Sequence, residues 1–243
     1  MSAPVFLRAD LADLTGRRIV LDGAEGRHAA TARRLRVGEP VDLVDGQGTR
    51  ADCRVLSVGR DVVELEVQTQ TVESAPEPRL LLVQALPKGD RGELAVELAT
   101  EVGVDEIVPW VAARCVMQWK GERGDKQLAR WRATAREAGK QSRRAFTPGV
   151  AELHTTTALL TRLAGATVLV LHEQAGPALA RIELPATGEL ALVVGPEGGL
   201  TEDELTAFTS LGGQAVRLGP HVLRTSTAGA AAIVVVSART GRW

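Results

Sequence analysis

Short apolar runs separated by turn-forming residues set the texture of the first part of the chain. Ile19-Val20-Leu21, Val41 to Val44, Ala51 to Val58 and Val62 to Val67 read as strands, the last alternating apolar and polar from Val63. Asp45-Gly46 is a hairpin-type turn signal, and Gly59-Arg60-Asp61 marks the next reversal. Residues Glu25 to Arg36 predict one interrupting helix, ended by Gly38. Strands this short and closely spaced predict a small β-barrel domain over residues 1–72.

The polar stretch Thr71 to Pro78, with two prolines, reads as a linker. Beyond it the pattern changes. Leu80 to Ala85 is an almost continuous apolar run, as expected for a strand covered on both faces. A helix follows to Val102, stopped by Gly103. Then come Ile107-Val108, a long helix near Asp125–Arg144, Val168 to Leu171, Leu190 to Val194, a helix from Thr201 to Leu211, Ala215 to Leu218, and a last helix. Buried strands alternating with helices predict an α/β domain with a mostly parallel sheet over residues 79–243.

Composition narrows the picture. A hydrophobic content of 44% and a charged content of 24% suit a folded globular protein. No apolar run approaches the roughly 18 residues that a membrane helix needs, so no membrane partner is expected. The opening residues Met1 to Arg8 show no secretory pattern, and Cys53 and Cys115 stand far apart, which together suit the cytoplasm. Neither the cysteines nor His28, His154 and His221 have metal-ligand spacing, so no metal is expected. The net charge of −1 makes the chain no basic glove, and with no Tyr and three Phe it has little to stack bases on. Positive charge is local instead. Arg27, His28, Arg33, Arg34 and Arg36 surround one predicted helix. Arg123, Lys126, Arg130, Arg132, Arg136, Lys140, Arg143 and Arg144 follow the long middle one, opposite an apolar stripe of Leu128, Trp131 and Ala135. Such faces are either simply solvated or phosphate-binding.

Two segments carry candidate chemistry. Val193-Val194-Gly195-Pro196-Glu197-Gly198-Gly199-Leu200 takes a buried strand through a glycine turn into a helix, with Thr201 and Glu204 at capping-box spacing. Leu218-Gly219-Pro220-His221-Val222-Leu223-Arg224-Thr225-Ser226-Thr227-Ala228 repeats the scheme, with Thr225 or Ser226 able to cap the last helix. Neither is a triphosphate-binding loop or a dinucleotide fingerprint. Each alone is explained by a tight strand-to-helix turn. Two of them ending buried strands in one domain point to a shared ligand crevice.

These paired segments resemble the signature of the SPOUT methyltransferases and, more narrowly, the RsmE family of 16S rRNA uridine N3-methyltransferases. The resemblance extends to Leu171-His172-Glu173, Gln84 to Lys88, Glu97 to Gly103, Gln141 to Arg144, and His28 with Arg33 to Gly38, and so covers nearly the whole chain. It implies an α/β fold whose mostly parallel sheet ends in a SPOUT-type trefoil knot, which pattern alone would not suggest. It also implies an N-terminal PUA-like RNA-binding barrel and a homodimer. By the same resemblance, S-adenosyl-L-methionine is held by Leu171, His172, Glu173, Gly195, Pro196, Glu197, Gly198, Gly199, Leu218, Gly219, Leu223, Arg224, Thr225, Ser226 and Ala228. Arg224 is the candidate for stabilising the uracil anion and Glu197 for accepting the N3 proton, the latter against a plain helix-dipole role. Ser226 departs from the family pattern, in which an acidic residue is common. Arg27, His28, Arg33, Arg34, Arg36, Arg136, Lys140, Arg143 and Arg144 are the candidate contacts to 16S rRNA of the small subunit. Two other readings stand beside this one: a knotted methyltransferase with another base or a ribose as target, and a non-catalytic assembly factor.

Overall fold

Alternation on one face and continuous burial on two produce two different sheets in the computed structural model, which describes residues 3–11, 14 and 16–243. They belong to two compact units. One holds the N-terminal part of the chain up to Ala75 together with Gly139–Thr147. The other holds Pro76–Ala138 and Pro148–Trp243.

The first unit is a curled five-stranded sheet. Its strands are β1 (Val5–Leu7), β2 (Arg18–Leu21), β3 (Pro40–Val44), β4 (Thr49–Val58) and β5 (Val63–Val72), in the order β1-β3-β4-β5-β2. Only the β1–β3 pair is parallel. Cys53, Val55, Val63, Leu65 and Val67 face a core closed by Phe6, Leu11 and Leu35. The expected strand at Val62–Val67 runs on to Val72, into the expected linker. Its polar end stays paired because Thr69 donates to Asp52 Oδ2 at 2.6 Å across the β4–β5 ladder.

The expected helix from Glu25 to Arg36 is shorter and irregular. α1 (Gly23–Arg27) passes into a π turn at His28–Ala32. Arg34 then takes a left-handed φ of 53°, and Leu35 N–H returns to Ala29 O. That C-terminal wrap, rather than Gly38, ends the helix.

The second unit is an all-parallel sheet. Its strands are β6 (Arg79–Ala85), β7 (Glu106–Trp110), β8 (Gly149–Val150), β9 (Thr167–Leu171), β10 (Glu189–Val194) and β11 (Gln214–Val216), in the order β11-β9-β10-β6-β7-β8. The helices are α2 (Arg91–Glu101), α3 (Gly121–Gln141), α4 (Thr156–Arg162), α5 (Glu202–Ser210) and α6 (Thr225–Thr240). Leu80 and Leu82 of β6 pack with residues of α2, α3 and α6, while Leu81 and Val83 pack with residues of α4 and α5. This period of two between two covered faces is why β6 reads as an unbroken apolar run. The long middle helix begins before Asp125 and ends at Gln141, short of the expected Arg144, with Arg143 at φ 58°. Its Leu128, Trp131 and Ala135 are buried as the stripe predicts.

At the edge of the sheet where β6, β7 and β10 begin, four charges interlock. Arg162 binds Glu189 and Glu106, each at 2.8 Å, and Arg79 binds the same two carboxylates. The hydrogen bonds from Arg162 hold the Glu189 carboxyl below its ordinary range.

Candidate active site

The opposite edge of the sheet, where parallel strands end, carries the glycine turns. β10 runs out into Gly195-Pro196-Glu197-Gly198-Gly199. Gly199 adopts φ 73° after its N–H bonds Pro196 O at 2.9 Å. A side chain at Gly195 would press on Leu200 Cδ2 at 2.9 Å. Thr201 then starts α5 with the expected capping box: Glu204 N–H donates to Thr201 Oγ1 at 3.2 Å, and Thr201 N–H donates to Glu204 Oε2 at 2.9 Å.

The second turn ends differently from expectation. Arg224, not Thr225 or Ser226, occupies the N-cap position of α6, in extended backbone (φ −66°, ψ 150°) and without a side-chain cap bond. Thr225 Oγ1 is drawn away from capping because it donates to Gly195 O at 2.9 Å. It also accepts from Gln84 Nε2 at 3.0 Å. One hydroxyl thus joins the two glycine turns to the end of β6. Lys88 N–H adds a second tie, donating to Glu197 Oε1 at 3.1 Å.

Together these segments wall a cavity of about 570 Å³. Leu171, His172, Glu173, Gly195, Pro196, Glu197, Gly198, Gly199, Leu223, Arg224, Thr225 and Ala228 all line it. Leu218 and Gly219 line a smaller cavity of about 80 Å³ that shares Leu171, His172, Glu173, Leu223 and Ala228 with it. Ser226 lines neither, since α6 turns it into the interior. His172 is fixed by its backbone N–H on Val216 O at 3.0 Å, and its Nδ1 accepts from Gln174 N–H at 3.2 Å.

The cavity also takes in residues that the sequence reading passed over: Arg91 at the start of α2, Arg114 and Gln174. Arg114 follows the end of β7, and the end of a parallel strand is where ligand groups collect, so position alone could have flagged it. Its Nη1 donates to Gly198 O and to Leu200 O, each at 3.1 Å. Burial pushes the thiol of the neighbouring Cys115 up, which disfavours its thiolate form. Among the described residues no cluster of His, Cys, Asp and Glu could hold a metal.

What the cavity offers is an apolar floor (Leu171, Val194, Leu200, Ala228), glycine-shaped backbone, two carboxylates and three arginines. That donor set suits an amphipathic, zwitterionic ligand of nucleoside size.

The candidate RNA contacts fall elsewhere. Arg33, Arg34, Arg36, Arg136 and Arg143 are exposed, and Arg144 is half-buried. Arg27 is exposed, 3.7 Å from Asp61. His28 sits edge-on to Phe6 with ring centroids 5.7 Å apart. Lys140 is only 8% exposed, with its ammonium 2.9 Å from Glu25 Oε1, so its charge is engaged inside the first unit. No helix is long and apolar enough to cross a membrane among the described residues.

Comparison with known proteins adds independent findings. The RNA methyltransferase domain family matches residues 74–237, and the RNA methyltransferase PUA domain family matches residues 21–68. The protein called ribosomal RNA small subunit methyltransferase E from Mycobacterium tuberculosis (strain CDC 1551 / Oshkosh) is 50% identical, over 100% of this chain and 94% of its own length. Its namesake from Bacillus subtilis (strain 168) is 32% identical over 90% of each chain. The crystal structure of the Neisseria gonorrhoeae protein of that name, bound to S-adenosyl methionine, superposes with a TM-score of 0.89 at 29% identity, covering 98% of both chains.

Proposed function

We propose, from the premise that this chain belongs to the ribosomal RNA small subunit methyltransferase E family and has its SPOUT-type knotted α/β fold with a PUA-like barrel, that it methylates N3 of one uridine in 16S rRNA with S-adenosylmethionine as methyl donor. The observation that carries this reading is the convergence of Leu171–Glu173 and both glycine turns on one cavity.

The cavity residues fit the donor. Glu173 and Glu197 can face its positive groups, the apolar floor can take its adenine, and backbone at Gly195–Gly199 can approach it without side chains intervening. When bound, it supplies an electrophilic methyl on a sulfonium, which needs no metal. The remaining work belongs to the protein. Uracil N3 carries a proton and is a poor nucleophile until that proton leaves. Glu197, held by Lys88 N–H, accepts it. The charge that develops on the flanking uracil oxygens is met by the Arg224 guanidinium, whose side chain caps nothing and lines the cavity. Closing the cavity aligns the base and excludes water.

The RNA is drawn to the exposed arginines Arg33, Arg34, Arg36, Arg136 and Arg143 through its phosphates. The enzyme works in the cytoplasm on the small ribosomal subunit, as a homodimer. Its exposed Val222 (79%) and Leu223, at the cavity rim, support a covered apolar face.

Nucleoside mass spectrometry of rRNA from cells with and without the gene tests the reading. Loss of one N3-methyluridine is expected. Loss of a ribose methyl, or of nothing, would contradict it.

A further inference from the structure

The cavity carries more positive charge than the reaction above uses. Arg91, Arg114 and Arg224 all line it, and among the described residues none of the three has an ion-pair partner. Glu173 and Glu197 line the cavity too, so three guanidiniums face two carboxylates there, and an entering anion would even the balance. Arg224 is assigned to the uracil, and the methyl donor has a single carboxylate. At least one guanidinium is left over, and the one whose surroundings are most fully built is Arg114.

Its loop is pinned by Ala113 N–H on Glu204 Oε1 at 2.7 Å. Its Nη1 bridges the carbonyls of Gly198 and Leu200. A side chain at Gly198 would press on Arg114 Cβ at 3.1 Å, so the glycine turn is shaped around the arginine stem. A guanidinium has five N–H donors, and among the described residues only Nη1 of Arg114 is engaged. The rest form a fixed fork, the geometry that binds phosphate oxygens in pairs.

We propose that Arg114, supported by Arg91, is the seat for a backbone phosphate of the RNA strand that carries the target base. A phosphate held at the cavity wall would set the depth at which the base enters. This rests on the rRNA methyltransferase reading.

The test uses the full-length protein and small subunits from cells lacking the gene. Methyl-donor affinity is read by calorimetry, and the Michaelis constant for the subunit is read across a salt series. For Arg114→Ala the subunit constant should rise roughly tenfold or more, since a charge-assisted contact is lost. Its salt slope should fall by about 0.7–0.9 per phosphate contact removed. Donor affinity should fall by much less than the subunit constant rises, since Arg114 also braces the glycine turn. Arg114→Lys should keep most of the salt slope. Arg91→Ala, which breaks no side-chain hydrogen bond among the described residues, should move the subunit constant in the same direction.

Weakened donor affinity with an unchanged salt slope would overturn the proposal, because Arg114 would then serve the donor's carboxylate or merely brace the turn. Unchanged subunit constants in both alanine variants would overturn it as well. A wild-type protein that binds the donor but methylates no RNA would overturn the underlying reading, and this one with it. Active wild type with indifferent variants overturns this one alone.

Discussion

Arg224 illustrates how a single residue's backbone decides what its side chain can do. In extended conformation at the N-cap of α6 it makes no capping bond, so the guanidinium serves the cavity. Arg224→Ala should slow single-turnover methyl transfer at saturating donor by about 10²–10³-fold, the cost typical of losing one charge-stabilising donor. Glu197→Gln should slow the chemical step by about 10²–10⁴-fold. An unchanged rate would exclude Glu197 as the proton acceptor. The two thiols make a contrasting case. Burial pushes Cys53 up to about 12 and raises Cys115 too, so both should react slowly with iodoacetamide at pH 8 until the protein unfolds. At this scale the sequence exposed what was contiguous. The turns at Gly195–Gly199 and Leu218–Ala228 could be read directly, whereas Arg91 and Arg114 reach the same cavity from other elements. The pairing of Lys140 with Glu25 spans 115 positions and leaves no local trace.

Among elements, one helix start could be read directly. Thr201 and Glu204 declare the start of α5 by their spacing, and the reciprocal bonds are present. The two basic helices finish where arginines, Arg34 and Arg143, take left-handed backbone, a place where glycine is the usual signal. The small helix α4 and the two-residue strand β8 were too short for periodicity to register. The Arg162–Glu189 pair makes a prediction about stability. Because the folded Glu189 carboxyl titrates below its ordinary range, its ionised form adds stability above the ordinary glutamate pKa, and that stability is lost as pH falls through the depressed value. Glu189→Gln should therefore cost on the order of 1 kcal/mol near pH 7, allowing for screening of the partly exposed pair. In urea titrations the gap from wild type should close in acid. A gap independent of pH would show that the charge is not what matters.

At the scale of the whole molecule, a net charge of −1 conceals separate jobs. The parallel sheet gathers the cavity proposed for methyl transfer at the ends of its strands. Exposed arginines on the first unit and on α3 supply what an RNA backbone would need. Reversing Arg33 and Arg36 to Glu should weaken binding to the small subunit and flatten its salt dependence, without changing methyl-donor affinity. The change of texture along the chain could be read because covered parallel strands and half-exposed antiparallel ones have different hydrophobic periods. What could not be read was that Gly139–Thr147 joins the first unit, since nothing in its composition marks a change of allegiance.

The central claim, methyl transfer to uridine N3, is tested most directly by reconstitution. Purified protein, S-adenosylmethionine with a labelled methyl group, and small subunits from cells lacking the gene are combined, and the labelled nucleoside is identified. The account predicts one labelled methyl per subunit, recovered as N3-methyluridine and formed about 10²–10³-fold more slowly with Arg224→Ala. Label recovered on a ribose or another base, or no transfer by a protein that binds the donor, would contradict it.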